Sequence, residues 1–185
     1  SPHLFNAWGG VDWRLTIELS SAAALMAAFI VNFTSLGPNQ AVAQKFQARD
    51  AMKAFTNRAV RLANFGYIGH MWELYAMWAW VGIFLSASFS QSMPESEADY
   101  WAKYVTFLTI GIGAVGAIGG GYLADRWGRT KLTISAMVVS GSCALIIGTL
   151  FGSSPWLVSI VCLIWGISVI ADSAQFSASV AELSE

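Results

Sequence analysis

Gly119-Gly120-Gly121-Tyr122-Leu123-Ala124-Asp125-Arg126-Trp127-Gly128-Arg129-Thr130-Lys131 separates two long apolar runs. Four charges, Asp125, Arg126, Arg129 and Lys131, crowd into seven residues of a chain that is only 11% charged. A charged turn between apolar runs belongs in water at a membrane surface. The side on which it lies fixes the orientation of every other segment.

Composition supports a membrane setting. The chain is 56% hydrophobic, and its mean hydropathy is +0.55. A soluble domain of this length needs far more polar surface. The net charge of -1 argues against a nucleic-acid partner. Cys143 and Cys162 both fall inside apolar runs. They read as small packing residues, with no disulfide framework and no metal-ligand spacing, so neither metal nor cofactor is expected. The opening Ser-Pro lacks a charged n-region ahead of a short apolar core, so no signal peptide is read.

A helix of about 20 apolar residues spans a bilayer, and backbone polar groups in lipid must pair internally. Five runs meet that length: Leu15–Phe33, Phe65–Phe89, Tyr104–Leu123, Leu132–Phe151 and Trp156–Phe176. The fold class expected is therefore all-α, a polytopic membrane helix bundle with five transmembrane helices. Basic residues choose its orientation. Lys45, Arg49, Lys53, Arg58 and Arg61 lie between the first two runs, and Arg126, Arg129 and Lys131 lie in the central turn. The opposite side holds Arg14 and Lys103, beside Glu95, Glu97 and Asp99. This places loops 34–64 and 124–131 in the cytoplasm and the chain in the inner (plasma) membrane. Trp8, Trp13, Trp101 and Trp156 then mark the outer interface.

Segment 1–14 reads as an outer loop, and 15–33 as the first helix. Gly37-Pro38-Asn39 stops that helix. In loop 34–64, Lys45, Arg49 and Lys53 recur every four residues beside short apolar rows. Two readings stand for it: a basic amphipathic helix on the lipid leaflet, or a solvated connector.

The second run is unusual for its Tyr67, His70, Trp72, Glu73, Tyr75, Trp78 and Trp80. His70 and Glu73, three apart, share a helix face, which is expected to continue through Met77, Trp80 and Phe84. A carboxylate near mid-span costs about 2.5–3.5 kcal/mol on the insertion scale, and intramembrane ionisable groups generally mark a pathway. The functional reading is a polar, aromatic wall of a translocation cavity. The structural alternative is an interhelical hydrogen bond that only holds the bundle together. In the last run Trp165, Asp172 and Gln175 carry the polar chemistry. Asp172 is read about four residues, roughly 6 Å, from the cytoplasmic end, where it either lines the cavity or reaches headgroup water.

Gly113, Gly116 and Gly120 form a small-residue face for close helix packing. The fourth run has no charge and reads as scaffold. Within the central turn, Asp125 is expected to cap the next helix, and Gly128 to permit a sharp turn.

The nine residues Gly121-Tyr122-Leu123-Ala124-Asp125-Arg126-Trp127-Gly128-Arg129 resemble the loop signature of the major facilitator superfamily, Gly-x-Leu-Ala-Asp-Arg-x-Gly-Arg. Thr130 departs from the pattern, where a basic residue is common, and Lys131 follows at once. The resemblance implies a transporter whose signature follows the second helix of a six-helix half. The chain would then be a fragment carrying the sixth to tenth helices, with 65–185 the first four of the C-terminal half. Its partners would be the lipid bilayer, a small-molecule or anion substrate, and the missing helices. Asp125 would latch the cytoplasmic side, and Arg126 or Arg129 would pair with Glu182. The first and fourth helices of the half, which carry His70/Glu73 and Asp172, would line the cavity.

The function expected is secondary active transport by alternating access, proton-coupled through Glu73 with His70, because desolvation disfavours a charged carboxylate. The competing class is a non-transporting five-helix anchor or assembly subunit. An intramembrane enzyme is disfavoured: Ser140-Gly141-Ser142 has no suitable histidine partner, and Asp172 has no second intramembrane aspartate.

Overall fold

The computed structural model describes residues 13–33 and 55–184. The fold of these residues is all-helical, joined by short turns and without strands. In chain order the helices are α1 (Trp13–Val31), α2 (Arg58–Phe89), α3 (Glu95–Gly111), α4 (Gly113–Trp127), α5 (Arg129–Ile147), α6 (Pro155–Ala171) and α7 (Ser173–Ser184), with a 3-10 turn at Gly148–Leu150. Basic residues Lys45, Arg49 and Lys53 of loop 34–64 lie outside the described residues, so the amphipathic-helix reading does too.

Helix α2 starts where Asn57 accepts the Ala59 N–H with its side chain, seven residues before the expected Phe65. Its inward stripe is His70, Leu74, Met77, Val81, Leu85 and Phe89, all buried. The steps of three, four and seven residues are those of one helix face. Ala98 and Ala102 of α3, Ile147 of α5, and Val158, Cys162 and Val169 of α6 complete the apolar core. Every described side chain of α1 is exposed.

Among the described residues, three helical stretches are long and apolar enough to cross a membrane: Glu95–Trp127, Arg129–Leu150 and Pro155–Ala181. Five were expected, and the two absences have physical causes. The apolar part of α1, Ile17–Val31, falls short of a full crossing. Helix α2 has 32 residues, but a carboxylate, an imidazole and five Tyr or Trp rings lower its hydropathy.

Two stretches are interrupted at a single residue and continue as helix beyond it. At Ile112, between α3 and α4, the Gly116 N–H still reaches the Ile112 carbonyl. At Asp172 (φ -97, ψ -10), between α6 and α7, the Asp172 carbonyl accepts from Gln175 and Phe176. Glu95, Glu97, Asp99 and Lys103, read as an outer loop, are already helical in α3.

Close packing centres on α6. Gly116 and Gly120 of α4 sit against the backbone of Ile167 and Ala171, and Gly166 of α6 sits against Thr109 of α3. A Cβ at any of the three would collide with a carbonyl oxygen. At the far end, the buried Ser88 hydroxyl accepts the Gly152 N–H at 3.0 Å, docking the α5–α6 turn onto α2.

Candidate functional site: a polar knot between α2, α5, α6 and α7

The inward stripe of α2 is apolar except at His70. Its Nδ1 lies 3.2 Å from Asp172 Oδ1, and both side chains are 1% exposed. Asp172 Oδ1 and His70 Nε2 have no hydrogen-bond partner among the described residues. Rings cover the pair. Tyr67 stacks on Phe176 at 5.8 Å, His70 lies 5.3 Å from Phe176, and Tyr67 lies 6.2 Å from His70. Ser177 Oγ–H donates to the Tyr67 hydroxyl at 3.3 Å, at the exposed edge of the cluster.

One turn along α2, half-buried Glu73 uses both oxygens. Trp165 Nε1–H donates to Oε1 at 2.8 Å, and Ser140 Oγ–H donates to Oε2 at 3.2 Å. The carboxylate thus ties α2 to α6 and α5. Two donors thus compensate the desolvation of a half-buried carboxyl group, which would be costly without partners.

Asp172 was read near a helix end. It is the C-cap of α6, with α7 following directly, and its carboxylate is buried against His70 rather than in headgroup water. Gln175 is buried on the first turn of α7. Met77 packs in the apolar core. Trp80, expected on the His70 face, is 65% exposed. Ten residues at 3.6 per turn leave it about 80° from His70 around the helix, which is enough to turn it outward.

Trp80 instead joins a groove of 590 Å³ on the outer side of α2, with Tyr67, Ile68, Met71, Trp72, Tyr75 and Ala76. Tyr67 belongs to both groove and knot. A second groove, of 610 Å³, runs between α2 and α3, where Glu95 and the Asp99–Lys103 pair (2.6 Å) meet Trp78.

The charged turn is shorter than the loop 124–131 expected. Helix α4 runs through Trp127, and α5 begins at Arg129. Gly128, at φ 87 and ψ 144, makes the joint alone. Asp125 therefore lies in the last turn of α4 and does not cap α5, whose cap position is Gly128. It is exposed, with no hydrogen bond or ion pair among the described residues. A carboxylate there opposes the helix dipole, whereas Arg126 complements it. The Arg126 guanidinium lies 4.2 Å above the Tyr122 ring. Gly121 is half-buried on α4. The Glu182 side chain lies outside the described residues, and with it the expected pairing to Arg126 or Arg129.

Sequence reasoning missed Ser140, Phe176 and Ser177. Ser140 stands on a helix read as scaffold because it lacks charge. Its only signal is a hydroxyl in the run Val138-Val139-Ser140-Gly141. No group of three His, Cys, Asp or Glu side chains placed to hold a metal occurs among the described residues.

An all-helical bundle with three helices able to cross a membrane, and a buried ionisable knot inside it, defines the class as far as fold and site carry it. No protein-family model, curated protein or solved structure matches the chain.

Proposed function

We propose that this chain forms part of a secondary transporter of the major facilitator kind, moving a small organic or anionic solute by alternating access. The observation that carries the reading is the pairing of a buried ionisable knot with an open aromatic groove, joined through Tyr67. A helix that only faced lipid would keep neither. The Asp-Arg-Trp-Gly-Arg turn supports the same reading, because its single-residue joint at Gly128 needs a backbone that only glycine adopts freely.

On this proposal α2 and the bent helix α6–α7 line the solute path. The groove rings Trp72, Tyr75 and Trp80 are the solute wall. Glu73 is the fixed tie that holds that wall to α5 and α6. Asp125, without a partner among the described residues, latches onto a helix of the opposite half and steadies the state closed to the cytoplasm.

The test is counterflow in proteoliposomes of the full-length protein, using labelled nitrate, cyanate and short carboxylates as probes. At least one should exchange saturably, and the double substitution Trp72→Ala, Tyr75→Ala should cut its rate tenfold or more. A folded protein that exchanges none of them, with an α2 groove closed to aqueous reagents, is an anchor or assembly subunit instead.

A further inference from the structure

We propose that the open groove on the outer side of α2 selects an onium head group, a quaternary ammonium, so that among short carboxylates it favours one that carries such a head. The proposal rests on the transport reading for its purpose, but selective binding is measurable without flux.

The lining decides the chemistry. Tyr67, Trp72, Tyr75 and Trp80 bring four aromatic side chains to one groove of 590 Å³. That volume suits a small solute, whose pockets run to about 300–1,000 Å³. Met71 adds a soft thioether. Among the described residues, no charged side chain lines the groove. Ring faces carry the negative part of the aromatic quadrupole. They attract a cation whose charge is spread over methyl groups, and they repel an anion that approaches the same face. A quaternary ammonium also has no N–H to leave unpaired when it quits water.

The groups behind the groove point the same way. On the inward side of α2 stand two acids, Glu73 and Asp172, with one imidazole, His70. The nearest arginine or lysine along α2 is Arg61, more than one helical turn before Tyr67. Its guanidinium donates to the Phe55 carbonyl at 3.1 Å. An anionic head in the groove would face acids with no arginine or lysine beside it, whereas a cationic head complements them.

Two of the rings are held in place before any solute arrives. Tyr67 stacks on Phe176 with the planes 10° apart. Tyr75 meets Trp78 edge-on at 5.9 Å. A wall set by its neighbours loses little freedom on binding. Trp72 and Trp80 are 80% and 65% exposed, so each has surface open to a guest. Trp72 is the ring whose loss the site should feel most, because indole is the best of the cation-binding faces.

The test is equilibrium binding to the full-length protein in nanodiscs of phosphatidylethanolamine and phosphatidylglycerol, lipids without a quaternary ammonium. The probes are labelled trimethylammonioacetate and its isostere in which carbon replaces the nitrogen. Both are short carboxylates of one shape, and only the first has a cationic head. The unmodified protein should bind the onium probe about tenfold more tightly, the factor that a desolvated cation–ring contact supplies. Trp72→Leu should abolish that preference and leave the isostere's affinity unchanged, and Trp72→Phe should restore part of it. Equal affinity for the two probes, or none for either, overturns the proposal; both are read in the unmodified protein, whether or not a variant folds. Loss of onium binding when phosphatidylcholine replaces the other lipids would give the groove to a lipid head group and overturn it as well. Onium binding without counterflow would remove the transport reading and keep the site. Saturable counterflow of nitrate or of the isostere, with no preference for the onium head, would keep that reading and remove the site.

Discussion

Half-buried Glu73 takes one donor on each oxygen, so the site is sensitive to the loss of either. Trp165→Phe leaves Oε1 without a donor in a half-buried place. An unsatisfied polar group there costs about 1–3 kcal/mol. Ser140→Ala removes the longer bond and should cost less, about 0.5–1.5 kcal/mol. Thermal unfolding of both variants and of the double variant checks this. Because the two donors share one carboxylate, the double loss should depart from additivity. The acid itself was legible in the sequence, since a carboxylate in an apolar run stands out at once. Its donors were not. A serine or a tryptophan in a membrane helix has many ordinary uses, and which helix meets which is a tertiary fact. The misplacement of Trp80 has a similar source: a face followed in steps of three and four drifts when the steps are not balanced.

Helix contacts were more legible than helix bends. The spacing of Gly113, Gly116 and Gly120 announced a close-packed face, and α4 does meet α6 along it. The matching Gly166 on α6 carries no spacing signal in its own run. Substitution separates the two kinds of glycine here. Gly116→Ala drives a Cβ into the Ile167 carbonyl and should cost about 1–3 kcal/mol through forced backbone movement. Gly119→Ala, where nothing lies within 4 Å, should be neutral or stabilising by up to about 1 kcal/mol. Equal effects at the two positions would show that α4 and α6 do not approach as described. Gly128→Ala strains the joint at φ 87 and should loosen the α4–α5 hairpin, seen as faster amide exchange on both sides of it. The bend at Asp172 escaped the sequence reading because no glycine or proline marks it. An aspartate accepts that backbone and is held there by burial against α2.

For the whole molecule, the hydropathy and the polar side chains of α2 pull in opposite directions. The three stretches with clear spanning character pack together with the inward stripe of α2. The helix that carries the aromatic groove and half of each ionisable contact is the one whose hydropathy is lowered by those very residues. A span count from composition alone therefore passes over the helix that carries the polar knot. The charges around Gly128 are expected on one side of the membrane, opposite Glu95 and Asp99 at the start of α3. Protease or epitope mapping at the two positions in sealed vesicles checks this, and both appearing on one face would refute the topology.

The most direct test of the central claim is the accessibility of a cysteine at position 72, Trp72→Cys, with Cys143 and Cys162 replaced by serine. The full-length protein is placed in oriented vesicles and treated with a membrane-impermeant maleimide from either side. A solute path along α2 requires labelling from water, with the favoured side switching when a proton or solute gradient is reversed. Labelling only by a lipid-soluble reagent, unchanged by any gradient, would mean that the groove faces lipid and that α2 is not the wall of a path.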